Sequence, residues 1–455
     1  MKFDTHRAGL LLHPTSLPTG TLADAGRWLE FLQAAGFGVW QMLPLGLPLV
    51  GLSPYQCVSA FAVNPALFPL DDPATPRADM RRFAGWRNKQ RHWLVDYARF
   101  ILIKAEHGGV SWTDWPVPLR DRDAQALAEF DAAHADALKA VMVEQYRAAV
   151  HWQGIRAQAA ARGIQLFGDM PIFVAHDSAD VWAQRELFLL DDAGQPTVVA
   201  GVPPDYFSET GQRWGNPHYN WAAMQADGFA WWRARLRAHF EWFDLVRIDH
   251  FRGLAAAWAI PAHQPTAIHG EWVEAPGAAL LQAIADEMGE LQLVAEDLGI
   301  ITPDVTALRH QFGLPGMAVL QFAFDHHVDN PHKPENVHPD TVYYTGTHDN
   351  DTTLGWWRAL SEHDRQLVAQ RLNTSDEAAA LEAMIDTVLE SRAALAVLPL
   401  QDVLHLGSEA RMNTPGTDNG NWTWRFEWEA LPSGLAPRLL EKLQKAQRCE
   451  TRPHP

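Results

Sequence analysis

The stretch FDLVRIDHFRG, residues 243–253, combines the features of a buried strand with those of a polar site. Its first half is apolar and β-branched, as in a strand that is covered on both faces. Arg247 and Asp249 then occupy alternating positions, so both side chains project from the same face of that strand. Burying a charge is costly unless the charge is paired. The stretch therefore predicts a core strand whose end opens into a polar site.

Seven other short apolar runs have the same character, and helix-like segments such as 142–162 and 276–290 lie between several of them. Strands that alternate with helices predict βαβ units and a parallel sheet. Eight candidate strands favour an α/β fold of the (β/α)8 TIM-barrel type, although an open, doubly wound sheet fits the same pattern. The eight runs are residues 8–13, 37–43, 164–172, 245–250, 291–298, 317–322, 341–349 and 394–400.

The spacing of these runs is uneven. Residues 44–163 separate the second run from the third, and residues 173–244 separate the third from the fourth, which is far more than a βα unit needs. We therefore predict a single catalytic barrel over residues 1–455. Inserted subdomains are expected in the loops after strands 2 and 3, at about 47–160 and 175–240.

The second insertion contains VAGVPPDYFSETGQRWGNPHYNW, residues 199–221. Its Pro, Gly and Asn content predicts an irregular loop rather than a regular element. Long irregular loops in compact proteins are often functional lids. Trp214 lies beside a glycine in this stretch, and we expect it to be exposed because a loop tip offers little core.

The composition limits the classes of function. The chain has 455 residues, with 37 Lys and Arg against 55 Asp and Glu, and a formal net charge of −18. An acidic protein repels phosphate backbones, so we expect no nucleic-acid partner. The sequence has no run of about 18 uncharged apolar residues, so it predicts no membrane-spanning helix. Two cysteines in so long a chain do not make a disulfide framework, and they favour a cytoplasmic location.

Ionisable side chains lie at or near the carboxyl ends of five runs, where a barrel of this type carries its catalytic groups. They are His13, Asp169, Asp249, Glu296 and Asp349. A carboxylate that follows a strand can also be a helix N-cap, and Asp297 and Asp351 are the better candidates for that role. Retaining glycosyl transfer needs one carboxylate as nucleophile and a second carboxyl group as acid and base. Arg247 beside Asp249 favours the ionised form that a nucleophile requires.

Nine motifs in the chain share a resemblance to one family. They are LLHPTSLP (11–18), GVWQMLPLG (38–46), SPYQCVSAFAVNP (53–65), GDMPIFVAHDSADVW (168–182), VAGVPPDYFSETGQRWGNPHYNW (199–221), VRIDHFRG (246–253), VAEDLG (294–299), YTGTHDNDT (344–352) and RMNTPGTDNGNW (411–422). The chain resembles the amylomaltases, the 4-α-glucanotransferases that form family 77 of the glycoside hydrolases within the α-amylase superfamily. The GVPPDYFS…GQRWGNP and MNTPGT stretches are the most specific to that family.

The resemblance implies roles for individual residues. Asp249 matches the nucleophile, Glu296 the general acid/base, and Asp349 the carboxylate that stabilises the transition state. The substrate-binding positions that it implies are Arg247 and His348 around the reacting sugar, Asp169 at its non-reducing-end side, Tyr55 stacked on it, Trp214 near the acceptor sites, and Ser53 and His250 in the same motifs. We expect no metal and no cofactor, because the sequence shows no ligand cluster and the carboxylates already supply the chemistry.

Three functions stay open on this basis. The first is transfer of a segment of an α-1,4-glucan donor to glucose or a maltodextrin, and the second is hydrolysis of the same glucans. The third is glycan binding without catalysis, which does not need a nucleophile, an acid and a stabiliser together.

We expect a monomer or a small homo-oligomer. The His-rich segment 324–338 lacks metal-ligand spacing and is predicted to be a solvated loop.

Overall fold

The computed structural model describes residues 6–72, 77–204, 208–374, 376–417 and 419–449. Each of the eight predicted runs overlaps one strand of a single parallel sheet. In chain order the strands are β1 (Arg7–Leu11), β2 (Val39–Gln41), β3 (Gln165–Pro171), β4 (Val198–Val202), β5 (Gln212–Pro217), β6 (Leu245–Asp249), β7 (Ala256–Pro261), β8 (Glu271–Glu274), β9 (Leu293–Ala295), β10 (Gly316–Val319), β11 (Thr341–Tyr344) and β12 (Leu395–Pro399).

The parallel sheet closes into a barrel. β1 lies between β12 and β2, and the order continues through β3, β6 and β9 on one side and through β11 and β10 on the other. The two outer strands meet, since the Ala295 N–H at the end of β9 donates a 2.8 Å hydrogen bond to the Pro315 carbonyl just before β10. The TIM-barrel prediction is confirmed, and the open doubly wound sheet is wrong.

Helices surround the barrel, and the two segments with predicted helical periodicity fall in α6 and α10. In chain order the helices are α1 (Ala25–Ala35), α2 (Phe83–Lys89), α3 (Leu94–Glu106), α4 (Val117–Arg120), α5 (Ala124–Ala133), α6 (Ala135–Ala161), α7 (Ala179–Ala183), α8 (Trp221–Ala226), α9 (Ala230–Trp242), α10 (Gly277–Met288), α11 (Pro303–Gln311), α12 (Thr353–Ala359), α13 (Glu362–Leu372), α14 (Glu377–Glu390), α15 (Leu400–Val403) and α16 (Leu435–Lys445). Within the described residues, none of these helices could span a membrane.

The strands are buried on both faces, which explains why their sequences read as continuous apolar runs. Leu11 and Phe167 belong to a cluster that fills the barrel, whereas their neighbours Leu10 and Leu166 pack in the larger core outside it. This alternation follows from the opposite directions of successive side chains in a strand. Asp169 and Arg247 are charged residues within β3 and β6, so their charges have to be paired inside the barrel.

The inserted segments build a second, antiparallel sheet with the order β5-β4-β7-β8. The prediction of an irregular stretch at 199–221 is therefore wrong, because β4 reaches into it and β5 lies within it, although residues 205–207 lie outside the described part. Gly201 permits this pairing, since a Cβ there would lie 2.1 Å from the Gln212 carbonyl oxygen. The sheet also recruits β7 and β8, which come from the loop after the fourth barrel strand rather than from the predicted insertions.

Candidate active site

A buried arginine connects two aspartates at the carboxyl end of the barrel. β3 and β6 pair so that Asp169 lies directly beside Arg247. The Arg247 guanidinium donates to Asp169 Oδ2 and to Asp249 Oδ1, both at 2.6 Å. The side chains of Arg247 and Asp169 are 5% and 0% exposed, whereas that of Asp249 is 30% exposed. The charges in the core strand are thus paired, and only Asp249 of the three opens towards solvent.

Tyr55 extends from the first insertion to the same cluster. Its hydroxyl donates to Asp169 Oδ2 at 2.7 Å and lies 2.9 Å from His348 Nε2. The rings of Tyr55 and His348 are stacked, with centroids 5.3 Å apart and 19° between the planes. Burial raises the pKa of Tyr55 well above its usual value, and the charge of Asp169 adds to the effect. Tyr55 therefore remains a neutral phenol that can donate.

Ser53 orients Tyr55 through a tight turn. The Ser53 hydroxyl accepts the Tyr55 N–H at 3.3 Å, and the Ser53 carbonyl accepts the Gln56 N–H at 3.1 Å. The Gln56 amide in turn donates to Asn216 Oδ1 on β5 at 2.8 Å. The first insertion and the antiparallel sheet are therefore joined beside the cluster, through two residues that the sequence reasoning did not select.

Glu296 follows β9 and is held by backbone donors. Its Oε2 accepts the His250 N–H at 2.7 Å, and its Oε1 accepts the Leu298 N–H at 3.0 Å. Burial raises the pKa of Glu296 to about 7, although the nearby Arg247 charge opposes the shift. The negative charge of Asp249 adds to the increase. This carboxyl group can therefore hold a proton near neutral pH.

The pKa of Asp249 is also raised, to about 6. Burial is the largest cause, and the negative charges of Asp169 and Asp349 add to it. Arg247 favours the ionised form, as expected from the sequence, but loss of hydration outweighs its effect. Burial thus raises the pKa of both carboxyl groups, and the guanidinium that Asp249 contacts directly favours its ionised form.

His250 links these two carboxylates through its backbone. It directly follows Asp249, its φ of 54° is left-handed, and its N–H donates to Glu296 Oε2. The ring lies edge-on to Trp214, with centroids 4.8 Å apart and 89° between the planes. Burial lowers the pKa of His250 to about 3, so the ring is neutral. Trp214 lies on β5 and is half-buried, so the prediction of an exposed loop tip is wrong.

Asp349 lies in the loop after β11. Its Oδ1 accepts the Asn413 amide N–H at 2.6 Å, and its carbonyl oxygen accepts the Arg411 guanidinium at 2.6 Å. Arg411 also donates to the Asn413 carbonyl at 2.7 Å. Arg411 and Asn413 lie in the RMNTPGTDNGNW motif, but they were not among the site residues predicted from the sequence. The signal that could have found them is the presence of two polar side chains in a family motif after the last barrel strand.

Three other residues were selected from the sequence. His13 is 7% exposed, and burial lowers its pKa to about 3. Neither Asp297 nor Asp351 is an N-cap: Asp297 accepts the Met317 N–H at 2.7 Å, and Asp351 accepts the Ser408 hydroxyl at 2.7 Å. The cap of α12 is Thr352, whose hydroxyl accepts the Gly355 N–H at 3.0 Å.

The His-rich segment 324–338 is a loop, but it is packed rather than fully solvated, because Asn330, Lys333 and Val337 are buried. Over the described ranges, no group of three or more His, Cys, Asp and Glu side chains could hold a metal ion. Cys57 donates its S–H to the Pro54 carbonyl at 3.1 Å, and burial raises its pKa to about 12. This thiol is not activated as a nucleophile.

The profile of glycoside hydrolase family 77, described as 4-alpha-glucanotransferase, matches residues 11–78 and 70–431. The chain belongs to this 4-alpha-glucanotransferase family. A 4-alpha-glucanotransferase of Thermus thermophilus is 48% identical, over 96% of this chain and 97% of the relative. A chloroplastic/amyloplastic 4-alpha-glucanotransferase of Solanum tuberosum is 40% identical, over 93% of this chain and 82% of the relative. The sequence-based prediction of a glycosyltransferase of this family is confirmed.

Solved structures agree with this assignment to the 4-alpha-glucanotransferase family. The amylomaltase from Streptococcus agalactiae, determined in complex with acarbose, superposes with a TM-score of 0.93 at 31% identity, covering 98% of this chain and 100% of that one. An α-amylase from Geobacillus thermoleovorans, at 10% identity, has a TM-score of 0.52 and covers 98% of this chain and 79% of that one. The second likeness supports the barrel fold alone.

The paired charges at the barrel mouth lead to a stability prediction. Arg247→Met should lower the free energy of unfolding by about 3–5 kcal/mol, because it leaves buried Asp169 without its cation. Adding Asp169→Asn to that variant should recover part of the loss, since asparagine removes the buried charge. The measurement is urea unfolding at pH 7, followed by circular dichroism, for the wild type, both single variants and the double variant.

Arg81→Met provides the matched control. Arg81 also pairs with an aspartate, Asp79, at 2.9 Å, but its side chain is 90% exposed. This substitution should leave the free energy of unfolding nearly unchanged, because exposed ion pairs contribute little. If Arg247→Met were as stable as Arg81→Met, the Arg247 ion pairs would not support the barrel mouth.

Proposed function

We propose that this protein transfers a segment of an α-1,4-glucan donor to the 4-OH of glucose or a maltodextrin, by double displacement through a covalent glycosyl-enzyme. The observation that carries the proposal is the unequal environment of two carboxylates at the ends of neighbouring strands. Asp249 is hydrogen-bonded to the Arg247 guanidinium, whereas Glu296 accepts two backbone N–H groups, and burial raises its pKa. A retaining mechanism needs one ionised and one protonated carboxyl group.

In the first step, the Asp249 carboxylate attacks the anomeric carbon of the donor. Arg247 occupies Oδ1, so we assign the attack to Oδ2. The bond from the anomeric carbon to the glycosidic oxygen breaks as the bond to Asp249 forms. Glu296 gives its proton to the departing oxygen, and the first product leaves with a free 4-OH. General acid catalysis of this kind contributes roughly 10²–10⁴-fold to the rate.

In the second step, ionised Glu296 takes the proton from the acceptor 4-OH. The acceptor oxygen attacks the anomeric carbon and releases Asp249, so both carboxyl groups return to their initial states. Asp349 stabilises the charge that develops on the sugar, through hydrogen bonds to hydroxyl groups that strengthen in the transition state. Asn413 and Arg411 hold Asp349 in the free protein.

The remaining residues are assigned to substrate binding. Tyr55, His348 and Asp169 form a connected wall with Arg247, which would hold the reacting sugar on one side. Ser53 supports that wall through the Tyr55 turn. Trp214 and His250 form a second aromatic surface beside Glu296, which we assign to the acceptor sugar.

The alternative is hydrolysis of the same glucans, with water in place of the acceptor sugar. Both reactions share the glycosyl-enzyme and differ in which nucleophile reaches it. Transfer requires that the acceptor be positioned well and that water be poorly oriented. The half-buried Trp214 surface, supplied by the inserted sheet, favours transfer. The names of the relatives, 4-alpha-glucanotransferase, agree with it.

Maltotriose distinguishes the two reactions. We expect glucose together with longer maltodextrins, with almost no net gain of reducing ends, because each transfer forms one bond for each bond that breaks. Chromatography of the products and a reducing-end assay on the same samples measure this. If reducing ends rise in step with the loss of maltotriose, the hydrolase alternative is correct.

The two carboxylates can be separated with an activated donor. Glu296→Ala should fail on maltodextrins, whose leaving oxygen needs a proton, but should still form a glycosyl-enzyme from α-maltosyl fluoride. The intermediate should then accumulate, because the base for the second step is also missing. Added azide, which needs no base, should release it as the α-glycosyl azide.

Asp249→Ala is the matched variant and should give no adduct by mass spectrometry. It should also give no α-glycosyl azide under the same conditions. If Asp249→Ala formed the adduct and Glu296→Ala did not, the two roles would be exchanged.

The raised pKa values predict the pH dependence of kcat/KM. Asp249 must be ionised, so activity should fall as the pH drops below about 6; Glu296 must be protonated, so activity should also fall as the pH rises above about 7. The two apparent values belong to the coupled pair. Formation of the glycosyl-enzyme from α-maltosyl fluoride by Glu296→Ala should keep the acidic limb and lose the basic one. A maltodextrin profile that stays flat to pH 9 would contradict the assignment of Glu296.

A further inference from the structure

An exposed aromatic side chain lies on the edge strand of the inserted sheet. Trp272 of β8 is paired across the strands with Trp258 of β7, and their rings are 5.3 Å apart with 64° between the planes. Trp258 is half-buried, and its indole N–H donates to the Ala267 carbonyl at 2.9 Å. Trp272 is 40% exposed. Trp258 is therefore packed as part of the sheet, whereas part of the Trp272 ring is open to solvent.

A guanidinium covers one face of Trp272. The central carbon of Arg252 lies 3.9 Å from the ring centroid, and Arg252 itself is only 8% exposed. An Arg252 N–H also donates to the Ile300 carbonyl at 2.5 Å. Because Arg252 is fixed against one face and the Trp258 ring also packs against Trp272, the solvent-exposed part of Trp272 is what these two side chains leave uncovered.

The position of this ring connects it with the candidate active site. Arg252 is three residues after Asp249, and Ile300 is four residues after Glu296. The Phe251 N–H also donates to the Glu296 carbonyl at 3.1 Å, which ties the two loops together. Trp272 is therefore attached to the loops that follow the two proposed catalytic carboxylates, without contacting either carboxylate directly.

The chemistry next to Trp272 suits a neutral, hydroxylated ligand. Glu274 lies two positions further along β8, so it shares the same face of the strand, and it is exposed. A glucose ring has an apolar face of C–H groups that stacks on an indole, and its hydroxyl groups donate to a carboxylate. An anionic ligand would be disfavoured beside Glu274 in a chain with a net charge of −18.

We propose that Trp272 and Glu274, here called the Trp272 platform, bind an α-glucan chain outside the sugars that react. This rests on the proposed function, because it assumes that the same class of chain occupies the nearby cleft. The platform holds the part of a long donor or acceptor that extends past the loops after Asp249 and Glu296. Short substrates end before they reach it, so the platform selects for chain length and not for the reaction itself.

Trp272→Ala tests the platform, with Val273→Ala as the matched control. Val273 is the next residue on the same strand and is 37% exposed, but its side chain points to the other face. Affinity electrophoresis in gels that contain amylose measures binding without any need for turnover. Trp272→Ala should weaken amylose retention by about three- to tenfold, the range expected for one lost aromatic contact. Val273→Ala should be retained like the wild type.

Kinetics on two substrates give the second measurement. Trp272→Ala should raise KM for amylose by a similar factor and leave kcat and KM for maltotriose unchanged. Equal losses on maltotriose and amylose would place Trp272 at the reacting sugars and overturn the proposal. The proposal would also be overturned if Trp272→Ala, with an unchanged thermal unfolding midpoint, were retained by amylose as strongly as the wild type.

Failure of the proposed function gives a different result. A wild-type protein that does not rearrange maltotriose would contradict glucan transfer, yet amylose retention that depends on Trp272 would still support the platform. If a wild-type protein that rearranges maltotriose shows no such dependence in the gel, the platform is wrong and the proposed function stands.

Discussion

The barrel mouth depends on the two ion pairs that Arg247 makes, with Asp169 and with Asp249. Asp169 is completely buried and is tolerated there only because Arg247 and Tyr55 both donate to it. The same guanidinium reaches Asp249, so one cation fixes a buried carboxylate and a partly open one. Tyr55 comes from the first insertion, so the cluster also attaches that insertion to the barrel. A charged strand end is thereby compatible with an apolar core.

Much of the fold could be predicted from the sequence because parallel barrel strands are buried on both faces. Each strand reads as a short apolar run, and none of the eight was misplaced. The strand ends carried their own signal, since charges in apolar runs such as 245–250 need partners. Asp169 was selected because it lies near a strand end, and Arg247 because it lies two residues before Asp249; the structure brings these two distant residues into contact.

The antiparallel sheet could not be predicted in the same way, because its strands are stabilised by partners from different parts of the chain. β4 pairs with β5 and with β7, and the latter lies beyond the fourth barrel strand. Locally, the Gly and Pro content around Gly201 and Gly211 is typical of a loop; only the close approach of the paired strand explains Gly201. Asn413 was missed for a related reason, since its role depends on a contact with Asp349 across 64 residues.

The difference between Asp249 and Glu296 then follows from the backbone as much as from charge. Burial raises the pKa of both groups, so burial alone would not separate their roles. Asp249 shares a guanidinium, which a strand provides by placing Arg247 two residues earlier. Glu296 accepts the N–H of His250, the residue that directly follows Asp249. The proposed acid is therefore held by the backbone of the residue next to the proposed nucleophile, and the two carboxylates are positioned by adjoining residues of the same strand end.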